Sequence, residues 1–203
     1  MNNRINNPSM DIGVFVKTET AELHRSVESD LSRFLFLRNL SCNTYLQILQ
    51  AFYASYAAME NVLRDYPETN ELIAGRSKLQ WLQNDIEYLS SQLQTIPAIV
   101  NQNIEIVASS SAEAMGMLYV MEGATLGGAH IELRLNKHDW LSESAGLSFF
   151  KSYGDFRLAK WREFSEALKM FHQQNVLSEL DIQKGAQKAF HCIQSCLRGA
   201  LNE

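Results

Sequence analysis

MGMLYVMEGATLGGAHIELR, residues 115–134, has the length and apolar periodicity of a buried helix, yet it carries glycines at 123, 127 and 128. An interior helical glycine costs roughly 1 kcal/mol relative to alanine, so three weaken the helix by about 2 to 3 kcal/mol unless something must approach its backbone. Gly123 and Gly127 are four apart and share a face, which leaves a side-chain-free trough flanked by Tyr119, Met121 and Leu126. A trough of this kind admits either a second helix, as at any face of small residues, or a flat ligand. Three glycines on little more than one turn are more than a neighbouring helix requires, which tips the reading toward a ligand.

Outward from this stretch the chain reads as helices throughout. The serines at 109 to 111 cap the glycine-bearing helix, which is expected to run to about Asn136. Upstream, Val14, Val16, Leu23, Val27 and Leu31 recur at helical spacing from Asp11 or Ile12 to about Asp30, and a short apolar segment follows over Leu31–Leu37. Ser41 is placed to cap a long helix over Asn43–Arg64, which Tyr66, Pro67 and Glu68 end. Ser77 is placed to cap the next, over Leu79–Leu93. Ile104, Ile106 and Ala108 alternate, but a lone strand would have no partner. After a loop over 137–146 come a short apolar piece, Leu147–Tyr153, and two helices, about Asp155–His172 and Leu177–Leu201. Residues 1–10, polar and rich in Asn, read as a disordered leader. The expected fold is all-α, a single-domain bundle of seven to eight helices over residues 11–203.

Composition narrows the function. With 203 residues the chain is long enough for a substantial core without staples. Neither an apolar run of about 18 residues nor a charged-then-apolar leader is present, so a soluble cytoplasmic protein is expected, with no membrane partner. The net charge of -5 argues against nucleic-acid binding and means that any anionic ligand must be held by local cations. Three cysteines, an odd number without a CxxC pair, support neither a disulfide framework nor a thiolate metal site.

Of the five histidines, His24 has an acidic companion at a useful distance: Glu28 lies one turn later, where its carboxylate can orient the imidazole. His130, His138, His172 and His191 read as surface or packing residues. The Glu-x-x-His pairs of a di-iron bundle, a GxSxG elbow, a P-loop and a strand-linked GxGxxG are all missing, which removes support from di-iron, nucleophilic, phosphoryl-transfer and dinucleotide chemistry.

VKTETAELHRSVE (Val16–Glu28), LQWLQNDIEYL (Leu79–Leu89), YVMEGATLGGAH (Tyr119–His130) and FFKSYGDFRLAKWREF (Phe149–Phe164) together resemble the heme oxygenases, and most of all the bacterial biliverdin-forming type associated with bacteriophytochromes. The likeness runs in order over about residues 11–201. It implies that His24 is the ligand to heme iron and Glu28 its orienting partner, and that Gly123, Gly127 and Gly128 form a kinked distal helix over heme b, which is both cofactor and substrate. It further implies that Lys17 binds a propionate, with Ala21 standing where a second cation is usual, and that Arg157, Lys160 and Arg162 are candidates for the far propionate. Tyr119 is a candidate hydrogen-bond donor to a propionate. Animal-type members have an Asp where this chain has Ala124, which leaves Thr125, ordered water and backbone carbonyls as agents of proton delivery.

The implied activity is oxidative opening of heme to biliverdin, CO and ferrous iron with O2. Electrons come from a separate donor, a ferredoxin or an NAD(P)H reductase, since the chain has no flavin or nicotinamide motif. A bacteriophytochrome is the implied recipient of biliverdin. Two other readings share the architecture: a heme-binding carrier or sensor without turnover, and a non-heme enzyme of the same helical class.

Overall fold

A computed structural model describes residues 11–97, 104–142, 145–175 and 177–201. Among these residues there are eight helices of seven or more residues and one single-turn helix, with no strand. In chain order they are α1 (Ile12–Glu19), α2 (Ala21–Leu35), α3 (Cys42–Arg64), α4 (Pro67–Ile73), α5 (Leu79–Gln92), α6 (Ser111–Leu135), the single turn α7 (Ser148–Lys151), α8 (Arg157–Gln174) and α9 (Glu179–Ala200), with a 3-10 turn at Gly154–Phe156. The all-α expectation is met. The expected leader, 1–10, lies outside the described residues.

The glycine-bearing stretch is α6, and it runs through the centre. Every residue from Ala112 to Glu122 is buried, so this half of the helix is enclosed on all sides. Its cap is as expected: the Ser110 hydroxyl accepts the Glu113 N–H at 3.2 Å. The other long helices gather around it, with α9, α3, α4, α7 and α8 all packed against α6. The crossing with α9 is a backbone-to-backbone contact built from reciprocal glycines. A Cβ added to Gly116 would lie within 1.9 Å of the Ile182 carbonyl oxygen, and one added to Gly185 within 1.8 Å of the Glu113 carbonyl oxygen. Only residues without side chains fit there.

Three boundaries differ from the sequence expectation. The first helix divides at Thr20, whose buried hydroxyl donates to the Val16 carbonyl at 2.7 Å, and α2 then runs through Leu35 in place of a separate apolar segment. Pro67 stops α3 but also opens α4, at a first-turn position where a missing N–H costs nothing. The cap of α5 is Lys78; the Ser77 hydroxyl receives only a long bond, 3.4 Å, from the Leu79 N–H.

Two polar links set how the outer helices lie. Asp85 on α5, wholly buried, accepts the N–H groups of Ser148 and Phe149 at 2.8 and 2.9 Å and so holds the first turn of α7. Gln194 on α9 donates to Ser26 (2.7 Å) and Asp30 (2.8 Å), and Arg198 donates to Asp30 (2.9 Å). Helix α2 is thereby fixed against α9 from two consecutive turns.

Candidate functional site

The central helix leaves the core at residue 123. Beyond Glu122 it is only half covered: Ala124, Leu126, Gly127 and His130 are exposed, whereas Thr125 and Gly128 face inward. The three glycines of this turn have different neighbours. A Cβ at Gly127 would meet nothing within 4 Å, and one at Gly123 would make ordinary contact, 3.7 Å, with the Trp161 ring on α8. A Cβ at Gly128 would lie within 2.3 Å of the Phe150 carbonyl oxygen. Gly128 therefore serves close packing of α7 on α6, as Gly116 serves that of α9, while protein packing gives no reason for Gly127. The bare trough is formed by Gly123 and Gly127 alone.

His24 lies on α2 with its side chain 55% exposed. Its Nδ1 is 3.4 Å from Glu28 Oε2, and its ring meets Phe190 of α9 edge-on, with centroids 5.8 Å apart. The carboxylate thus faces one ring nitrogen, while Nε2 has no partner among the described residues. Helices α2 and α6 both rest on α9. They meet at their C-terminal ends, where the Arg134 guanidinium stands 4.4 Å above the Phe36 ring, and otherwise make no extended contact among the described residues.

The remaining candidates fall into two groups. Lys17 on α1 and Arg162 on α8 are exposed and have no ionic partner among the described residues. The others have partners within the protein. Arg157 donates to the carbonyls of Lys151 (2.8 Å) and Phe150 (3.4 Å), bracing the end of α7. Lys160 pairs with Glu163 at 3.0 Å. The Tyr119 hydroxyl donates to the Gly13 carbonyl at 3.3 Å, joining α6 to α1, and burial raises its pKa. The Thr125 hydroxyl donates to the Glu122 carbonyl at 2.7 Å. Arg162 is thus the available cation among the three considered on α8.

Sequence reading passed over two features of this site. Trp161 stands against Gly123 and meets the Tyr119 ring at 5.6 Å between centroids. Behind the trough lies a buried ionic cluster in which Glu122 binds Arg76 and Lys78. Burial lowers the pKa of the Lys78 ammonium in spite of the opposing pull of Glu122. Burial, aided by Glu122, raises that of the Tyr153 hydroxyl, which donates to the same carboxylate. One signal in the sequence could have revealed the cluster: Glu122 is the only charged residue between Ala114 and Ile131.

Comparison with known proteins gives a consistent picture. The family model described as heme oxygenase matches residues 11–198. A curated relative, the heme oxygenase of Xanthomonas campestris pv. campestris (strain 8004), is 30% identical over 162 residues, which cover 78% of this chain and 92% of that protein. Among solved structures, the NO- and CO-bound heme oxygenase of Neisseria meningitidis superposes with a TM-score of 0.70 at 20% identity, covering 96% of this chain and 94% of that one. Heme oxygenase 2 of Chlamydomonas reinhardtii, solved without heme, superposes with a TM-score of 0.74 at 14% identity, covering 93% and 97%. The two structures speak for the fold.

Proposed function

The chain belongs to the heme oxygenase family, and from that premise we propose that it opens heme between α2 and the exposed half of α6, releasing biliverdin, CO and ferrous iron at the expense of O2 and electrons from a separate ferredoxin or reductase. The observation that carries the site is Gly127. In a helix whose other close-packed glycines touch backbone, this one faces open space and lowers helix stability without a packing reason.

The residues present suit the group. His24 offers Nε2 as the iron ligand, and Glu28 beside Nδ1 favours the tautomer that leaves Nε2 unprotonated. A flat macrocycle needs an opposing surface of bare main chain, which Gly123 and Gly127 provide. Lys17 and Arg162 are cations for the propionates, and their lack of an internal partner makes them better suited than Arg157 and Lys160. Bound heme supplies both the iron that activates O2 and the ring that is opened.

What the protein adds is geometry and the exclusion of strong acids. Residues 123–129 present no titratable side chain, and the Thr125 hydroxyl turns its proton toward the Glu122 carbonyl. With Ala124 supplying no acid, proton delivery at bound heme would fall to water held by main-chain groups of α6.

Titration with hemin tests this directly. The wild-type protein is expected to give an intense Soret band that is lost or strongly altered in His24→Ala. Reductant and O2 then convert bound heme to biliverdin, a step that separates turnover from storage. An unchanged spectrum in His24→Ala contradicts the ligand assignment.

A further inference from the structure

Behind the bare face of α6 lie four charged residues, Glu60, Arg76, Lys78 and Glu122, each at most 3% exposed. Arg76 Nη1 donates to Glu122 Oε2 at 2.7 Å and to the Lys160 carbonyl at 3.3 Å, while Nη2 stands 2.9 Å from Glu163 Oε1. Lys78 Nζ donates to Glu122 Oε1, to the Arg76 carbonyl and to the Tyr153 hydroxyl. Tyr153 in turn donates to Glu122 Oε1 at 2.9 Å. Glu60 of α3 accepts the Lys78 backbone N–H at 3.0 Å, and Arg64 donates to its other oxygen at 3.2 Å.

Two cations and two carboxylates in this depth make an inefficient stabiliser. Burying charge is costly, and well-packed apolar residues of the same size often do as well or better. What a cluster of this kind does supply is fixed geometry, and its contacts fall at telling places. Glu122 immediately precedes Gly123, and Lys160 immediately precedes Trp161; Gly123 and Trp161 are the pair that face each other across α6 and α8. One guanidinium therefore bridges the two helices one residue away from that facing pair.

We propose that Arg76 and Glu122 are positioning residues that set the spacing of α6 and α8 at Gly123 and Trp161, and through it the place of the bare main chain at Gly123 and Gly127 over the substrate. The inference rests on reading that face as the heme side. Arg76 is suited to the task because its planar fork places Nη1 at Glu122 and the Lys160 carbonyl and Nη2 beside Glu163, a spread that the single nitrogen of a lysine does not have. Lys78 and Tyr153 saturate the other Glu122 oxygen, so the carboxylate has one orientation.

Arg76→Lys keeps the charge and removes the bridge. In heme-free protein, amide exchange at residues 123–128 is expected to quicken about tenfold, the effect of losing one hydrogen bond to a charged group, while amides of α3 and α9 keep their protection. In the loaded enzyme the ratio of biliverdin isomers shifts more than hemin affinity does. Should Arg76→Lys not fold, Tyr153→Phe removes one hydroxyl at the margin of the cluster and is expected to give the same local pattern at smaller amplitude. Exchange at 123–128 equal to wild type, or quickened equally through α3, α6 and α9, overturns the proposal and leaves the cluster a general support of the fold. A wild-type protein that binds no hemin rejects the heme-face reading instead, and the exchange pattern still decides whether Arg76 holds this turn.

Discussion

Gly127→Ala should make the empty protein more stable and the loaded one harder to form. The magnitude follows from what surrounds the site. An added Cβ meets nothing within 4 Å, so the substitution brings no clash and the helix gains the difference in propensity, about 1 kcal/mol. In a chain of 203 residues this raises the thermal midpoint by roughly 2 to 4 °C. With heme present, the same methyl group occupies the face proposed to bear on the macrocycle. Overpacking of a close contact costs typically 1 to 3 kcal/mol, which corresponds to about a ten- to hundredfold loss of hemin affinity.

Gly128→Ala is the control, one residue along. Its Cβ would fall 2.3 Å from the Phe150 carbonyl oxygen, so α7 must retreat by about 1 Å to reach ordinary contact, and the propensity gain is offset or reversed. Urea denaturation of the three heme-free proteins and hemin titration by Soret absorbance measure both quantities. The expected pattern is a stabilised Gly127→Ala with weakened hemin binding and a Gly128→Ala that is no more stable than wild type. A Gly127→Ala protein that gains stability and binds hemin unchanged refutes the trough as the ligand's face. One that loses stability refutes the premise that protein packing leaves this position open.

Gly116→Ala and Gly185→Ala each press a methyl group against a main-chain carbonyl at the crossing of α6 and α9, and either should destabilise the protein by about 1 to 3 kcal/mol in urea unfolding; an unchanged midpoint contradicts the backbone contact. Stability should fall in acid through Asp30 and Glu113. Burial acts to raise both pKa values, but Gln194 and Arg198 at Asp30, and Lys188 with the Ser109 N–H at Glu113, outweigh it and hold both below their ordinary values. The folded state therefore binds fewer protons than the unfolded one, and the stability these carboxylates contribute is full above about pH 4 to 5 and lost as pH falls below it. Asp30→Asn should flatten the dependence of the urea midpoint on pH in that window, and an unaltered slope counts against the Asp30 link. Glu28→Gln should weaken hemin binding about ten- to hundredfold, as loss of a ligand's orienting carboxylate does elsewhere, while leaving the heme-free fold unchanged, since the side chain is 63% exposed; affinity equal to wild type would show that Glu28 does not orient His24.

Much of the helix pattern was legible because burial imposes its period on the residues. The long helices α3, α5, α6 and α9 appear within a few residues of where apolar spacing and capping side chains place them. The misses are local. Apolar spacing runs unbroken across Thr20, so only the hydroxyl's bond to the Val16 carbonyl reveals the division between α1 and α2. Pro67 reads as a stop, and whether a proline ends one helix or begins another depends on the conformation of the residues after it.

At the site, spacing and surroundings proved to be separate kinds of information. Successive helical residues are turned about 100° apart, so adjacent Gly127 and Gly128 had to face different neighbours. Which of them looked onto backbone depended on α7, a single turn whose position is set by Asp85 more than 60 residues away in the chain. The ionic cluster escaped notice for the same reason: Arg76 and Lys78 precede a helix in a polar stretch, and only contact with Glu122, 46 and 44 residues on, makes them interior. A lone carboxylate within a buried apolar helix nevertheless demands a partner, because an unpaired charge in that setting is too costly to persist. Glu122 therefore required buried cations somewhere in the chain. That they come from a segment which also grips α8 is what turns a packing necessity into a constraint on the two helices that flank the trough.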